Sequence, residues 1–293
     1  MNNPFAADYL TDENDKALID RATHGDKAAL EDLLKKHQPF VYNIAWKMVQ
    51  NPMDAEDLAQ EVMIKVITNL AKFEGKSQFR TWLYRIVVNH FLQIQKKPRE
   101  IIANEDFDGF ADRLASFQDV VLSELEQEEM KAEIREMNLA CMSAMLLCLT
   151  REQRMIYIIG DLFNADHTIG AKILNLSKDN YRKRLSRARK DLFSFMNNKC
   201  GLVNKANPCR CYKKVTAVME CGNIDSKHLL FNRKEYKKFQ NYISKDTDEI
   251  LDLVEEKYHE MHYELPYRED FDKRTLIDDF IKDKRVVELL NLN

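Results

Sequence analysis

The 293-residue chain is short of glycine and proline, with seven and six. Sandwiches and barrels built on many tight turns need more of both, so an all-α architecture is expected. No stretch approaches the ~18 consecutive apolar residues of a membrane-spanning helix, so no membrane insertion is expected. The opening MNNPFAADYLTDENDK is acidic and holds no apolar signal core, which points to a cytoplasmic protein. HExxH, P-loop, glycine-fingerprint and nucleophile-elbow motifs are missing, which argues against an enzyme. What is present is a 45% hydrophobic share, ordinary for a chain with buried cores.

The net charge of -3 hides a segregation. Residues 1–100 carry 14 basic and 14 acidic side chains; residues 101–150 carry 3 and 11, net -8. Residues 151–220 carry 15 and 6, net +9, and residues 221–293 carry 13 and 17, net -4. A basic block beside an acidic one predicts that one part of the molecule meets a polyanion.

Apolar residues from Ala17 to Leu34 recur at helical spacing, broken near Gly25, where Asp26 can cap the next segment. Pro39 is expected to open a further segment. Residues 54–73 are expected to form a helix capped by Asp54, with Leu58, Ala59, Val62, Met63, Val66, Ile67 and Leu70 inward. Asp54, Asp57, Gln60, Glu61 and Lys65 fall on its other flank, where Glu61 and Lys65 are spaced as an ion pair. After the polar break EGKSQ comes a helix in which Phe79, Trp82, Leu83 and Ile86 share a stripe, which assigns Trp82 to the core. Residues 99–128 read as an acidic linker turning helical near Gln118, and 130–149 as an apolar helix.

Thr150 and Gln153 form a capping box, followed by expected helices over 151–162 and 166–174. The turn Asn175-Leu176-Ser177 leads into a second helix, the pattern of a helix-turn-helix. There Tyr181, Leu185, Ala188 and Leu192 define a buried face, with Arg182, Lys183, Arg184, Arg187, Arg189 and Lys190 around it. Such cation density repels itself in water, whereas DNA phosphates reward it through counterion release. Lys178, Asp179, Asn180 and Lys183 are placed to read base edges, and Arg182, Arg184 and Arg187 to hold phosphates.

SKDNYRKRLSRARKDL, with LTREQR ahead of it, resembles the promoter-reading C-terminal domain of bacterial sigma factors. DAEDLAQEVMIKV followed by SQFRTWLYRIVVNHFL resembles the second region of the extracytoplasmic-function (ECF) branch of the sigma-70 family. The resemblance covers about residues 14–98 and 145–195 and implies a layout. An N-terminal helical bundle (14–98, sigma region two) is joined by the acidic linker (99–128) to a helix-turn-helix domain (130–197, sigma region four). A cysteine-containing loop (198–222) and a helical C-terminal extension (223–293) follow. It implies a transcription initiation factor that binds core RNA polymerase and promoter DNA and helps melt the promoter, with an anti-sigma factor as a further partner and a monomeric free state. Asp54, Asp57, Gln60 and Glu61 occupy the polymerase-contacting positions. Lys76, Ser77, Gln78, Arg80 and Asn89 occupy the minus-ten surface, and the 178–187 residues above the minus-thirty-five surface. The linker would thread the channel later taken by RNA, or serve as a plain tether. Ile169-Gly170-Ala171 departs from the family's acidic-apolar-Ala triplet, and Gly170 should cost up to ~1 kcal/mol in a helix.

The alternative from another class is a stand-alone helix-turn-helix regulator that binds palindromic DNA without polymerase. The six cysteines are expected to be reduced thiols and no cofactor is required. Cys200, Cys209 and Cys211, with Cys221 or His228 as a fourth ligand, could instead hold a tetrahedral zinc. Cys141 and Cys148 read as core. The tail is expected to form helices over 232–262 and 269–290, split at Pro266. Its acidity against the basic block suggests that it folds back on the DNA-binding or the N-terminal domain and restrains activity.

Overall fold

A computed structural model describes Phe5 and residues 13–102, 106–234, 236–238, 261, 264–268 and 271. Its helices are α1 (Glu13–Thr23), α2 (Lys27–Val49), α3 (Pro52–Asn69), α4 (Phe79–Gln93), α5 (Pro98–Ile102), α6 (Phe107–Ser116), α7 (Glu124–Glu129), α8 (Lys131–Met145), α9 (Arg151–Tyr157), α10 (His167–Leu174), α11 (Lys178–Lys199) and α12 (Cys211–Glu220). The strands β1 (Lys237–Lys238) and β2 (Pro266–Tyr267) pair antiparallel, Lys237 opposite Tyr267. The chain forms two compact units. One comprises the described parts of 1–95, 158–182 and 268–293; the other comprises 96–157 and 183–267.

In the first unit, α2 and α3 pack as an antiparallel pair beside α1 and α4. Gly25 takes a φ of 95° and Asp26 accepts the Ala29 N–H (3.1 Å), so the break falls where the sequence places it. Pro39 opens nothing: α2 runs through it unbroken. An interior proline costs a helix about 3 kcal/mol. Every residue from His37 to Gln50 is buried, and each large apolar side chain among them returns ~1.5–3 kcal/mol, so packing overrides the proline. The cap of α3 is Asn51, not Asp54. Its side chain accepts from Met53 N (2.9 Å) and Asp54 N (3.2 Å), and Pro52 fills the first position. The helix ends at Asn69 and tightens into a 3₁₀ turn, Leu70–Lys72. After a π-turn at Ile158–Leu162, Asp166 caps α10 through Thr168 N (2.7 Å). The α10 helix packs on α4, where Arg85 Nε donates to Lys172 O (2.8 Å).

The second unit corrects three expectations. The acidic stretch is helical well before Gln118. Asp106 caps α6, and Phe110 is buried with its ring 5.7 Å from that of Phe195. One buried aromatic on a ten-residue helix is too sparse a period to read from sequence. Residues 211–220 are helix α12 rather than loop, because Val215 and Val218 join Leu122, Met137 and Ile224 in a core cluster. The start of the expected 232–262 helix is a turn and strand β1, paired to β2 at the edge-tolerant Pro266. Apart from Met261, which is helical, and Phe271, which is not, the remainder of the two expected tail helices lies outside the described residues. Two buried carboxylates tie distant segments of this unit together. Glu136 accepts N–H bonds from Leu230, Phe231 and Asn232 (2.7–3.1 Å). Glu100 accepts from Arg151 (2.6 and 2.9 Å) and Arg154 (3.0 Å). Burial alone would raise the Glu100 carboxyl. The Arg151 hydrogen bond, the Lys97 N–H and the Arg154 charge outweigh it and hold the group below the usual carboxylate range.

Candidate nucleic-acid interface

The turn between α10 and α11 is built locally. Asn175 takes a left-handed φ of 53° and its N–H meets the Ala171 and Lys172 carbonyls. Ser177 Oγ accepts the Asn180 N–H (3.2 Å) and so caps α11. The Thr150–Gln153 box is present in both directions, each bond 3.2 Å. Gly170 has a reason that the sequence hid: a Cβ there would overlap the Tyr181 ring, so glycine admits the tyrosine between the two helices. Along α11, Tyr181, Leu185, Ala188 and Leu192 are fully buried, while Lys178, Asp179, Arg182, Lys183 and Arg187 are exposed. Arg184 and Arg182 are held by protein partners. Arg184 is ion-paired with Glu152 of α9, and Arg182 Nε lies 3.2 Å from His167 Nδ1 and its Nη1 3.7 Å from Asp179. Arg182 is exposed and Arg184 half-buried.

On α3, Ala55, Leu58, Ala59, Val62, Met63, Val66 and Ile67 are buried. Asp57 and Glu61 are exposed and Asp54 and Gln60 half-buried, so the four expected docking residues share one outward flank. Met53 beside them is 78% exposed. Glu61 and Lys65 do not pair with each other. Both turn to the buried His90 of α4, with Lys65 Nζ 2.8 Å from Nδ1 and Glu61 Oε2 2.9 Å from Nε2.

Trp82 is not core. It is half-buried, tilted against Phe73 (5.4 Å) and Phe79 (5.6 Å), and floors an open groove of about 330 Å³ between α3 and α4. Lys65, Asn69 and Lys72 line one wall and Ile86, Asn89, His90 and Gln93 the other. Sequence reasoning named only Asn89 of these walls for minus-ten contact. Lys65, Asn69, Lys72 and Gln93 were not singled out there, although 65-69-72 and 82-86-89-93 are each spaced as a helical stripe. Of the other minus-ten candidates, Lys76 and Gln78 are exposed, Ser77 is half-buried and Lys76 pairs with Glu74. Arg80 is buried at 3% exposure and donates to Gln78 Oε1 (3.0 and 3.1 Å), so it orders the break rather than facing outward.

The cysteines regroup. Cys200 and Cys209 face each other across a parallel bridge, with the Gly201 N–H donated to Cys209 O (3.2 Å). Cys211 opens α12 and Cys141 approaches from α8, whereas Cys221 is exposed. Burial, then the neighbouring Cys200 and Cys209, pushes the Cys211 thiol up to about 12; burial, then Cys211, Cys200 and Cys209, also raises Cys141 well above the usual thiol range. Such groups are thiols at neutral pH and poor nucleophiles. Among the described residues no three His, Cys, Asp or Glu form a group able to hold a metal ion. Nor is any described helix long and apolar enough to cross a membrane.

Known proteins match the same parts of the chain. The family model for sigma-70 region 2 matches residues 33–97, which hold most of α2 and all of α3, the groove and α4. RNA polymerase sigma-H factor of Pseudomonas aeruginosa is 29% identical over 185 residues, 61% of this chain and 92% of the relative. ECF RNA polymerase sigma factor SigW of Bacillus subtilis is 25% identical over 178 residues, 60% and 94%. The solved structure of CnrH in complex with the cytosolic domain of CnrY aligns with 63% of this chain and 97% of that one, at 19% identity and a TM-score of 0.42. The α2–α4 bundle thus carries sigma-70 region 2, and over nearly the whole length of the sigma-H and SigW relatives the chain is similar to ECF RNA polymerase sigma factors, proteins that direct promoter-specific transcription initiation.

Proposed function

We propose that the three surfaces divide the work of initiation. The α3 flank, Asp54, Asp57, Gln60 and Glu61 with the exposed Met53, docks on core RNA polymerase. Its acids and amide supply directional contacts, and Met53 an adaptable apolar one. The α11 N-terminus enters an upstream major groove. Lys178, Asp179, Asn180 and Lys183 meet base edges there, and Arg182, Arg184 and Arg187 bind phosphates. The Trp82 groove, with Lys76, Ser77 and Gln78 at its approach, receives a base freed by melting of the downstream element. Stacking on an aromatic floor stabilises such a base by ~1–3 kcal/mol, and Lys65 and Lys72 attract the strand that carries it.

The observation that carries this reading is α11 itself: one helix with hydrocarbon shut inward and five charged residues exposed near its start. The test adds the purified chain to core polymerase and a promoter library. The expected outcome is a stable complex and new, discrete start sites. Binding to palindromic DNA with neither would favour the stand-alone regulator.

A further inference from the structure

The last described residues contact the α2–α3 surface in a way that promoter recognition leaves unused. The side-chain amide of Asn43, on α2, pairs with the backbone of Arg268 as a neighbouring strand would. Nδ2 donates to Arg268 O (2.9 Å) and Oδ1 accepts the Arg268 N–H (3.0 Å). Asn43 is fully buried, where an unmatched amide would cost ~1–3 kcal/mol. The Arg268 guanidinium donates to Glu56 Oε1 of α3 (2.9 Å) and lies over the rings of Tyr42 (5.4 Å) and Phe271 (5.2 Å). Phe271 stacks on Tyr42 with centroids 4.0 Å apart and planes 13° from parallel, and is 2% exposed. A backbone pair, an ion pair and an aromatic stack thus converge on one seat, built from core residues of α2 and a carboxylate of α3.

Glu56 precedes Asp57 by one residue and Gln60 by one helical turn. We infer that Arg268 and Phe271 anchor an intramolecular strap over the edge of the polymerase-docking flank, which core polymerase must displace in order to bind. The inference rests on the docking assignment proposed above. The charge pairing at this seat has the opposite polarity to the sequence expectation: a cation of the acidic tail meets a carboxylate of α3.

The test compares wild type, Arg268→Lys and the double variant Arg268→Ala/Phe271→Ala for affinity to purified core polymerase, with circular dichroism and thermal melting as checks of folding. The folded double variant should bind at least about fivefold tighter than wild type, the smallest shift expected of a coupled site, and Arg268→Lys should fall between. Equal or weaker binding by a folded double variant overturns the strap. If no chain binds, wild type included, the docking assignment fails and the strap with it. Should the double variant unfold, hydrogen exchange on wild type decides. The Arg268 amide, held by Asn43, should lose protection when polymerase is added, and unchanged protection overturns the inference.

Discussion

The α11 face and the α3–α4 groove carry the same formal sign and suit different partners. On α11 the cations stand on one continuous helix, spread around a hydrocarbon seam, with Glu152 and His167 steadying two of them. In the groove only Lys65 and Lys72 are charged among the wall residues apart from the histidine, and the floor is an indole. A spread of surface cations matches the regular phosphates of a duplex, whereas an aromatic floor with amides at the rim matches one unstacked base. The contrast shows how a single chain separates long-range attraction from local capture.

That contrast can be broken most forcefully on α11. Reversing two exposed cations, Lys183→Glu with Arg187→Glu, should weaken duplex promoter binding by about a hundredfold and flatten the log–log salt dependence by about two. An electrophoretic-mobility titration at several salt concentrations measures both. Trp82→Ala should act oppositely. Single-stranded minus-ten DNA should bind the holoenzyme more weakly by ~1–3 kcal/mol, with an unchanged salt slope and unchanged duplex binding. A steep salt effect from Trp82→Ala would erase the distinction. A third expected effect is on stability rather than binding and concerns the bundle of the groove, which holds a buried lysine where α11 displays its cations in solvent. Burial pushes Lys47 of α2 down from 10.5 to about 7. Between those values the unfolded chain keeps a proton that the folded one has released. Stability should therefore rise with pH from about 7 to 10.5, by up to about 1.4 kcal/mol per unit, and level off below 7. Urea unfolding across that range tests it, and Lys47→Met should remove the slope.

Local chemistry made the helix-turn-helix legible. The Thr150–Gln153 box, the Ser177 cap and the Tyr181-Leu185-Ala188-Leu192 seam each depend on residues within a few positions of one another. Features set by distant packing were not legible. Pro39 reads as a helix start because its neighbours' complete burial is invisible in one dimension. The Trp82 groove joins two helices whose stripes are separately ordinary, so the indole reads as core. Helices α6 and α12 each rely on two or three apolar residues that find partners far along the chain. The seat of Arg268 depends on Asn43, 225 residues away, and no periodicity signals it.

The glycine at 170 has an engineering corollary. The packing of the two helices of the turn motif is keyed by one missing methyl group against one buried phenol ring, which faces away from the solvent-exposed positions 178, 179 and 183. Geometry and vocabulary are thereby stored at separate addresses. On the proposed base contacts, the outward letters can be rewritten for a new promoter while the hinge that presents them stays as it is.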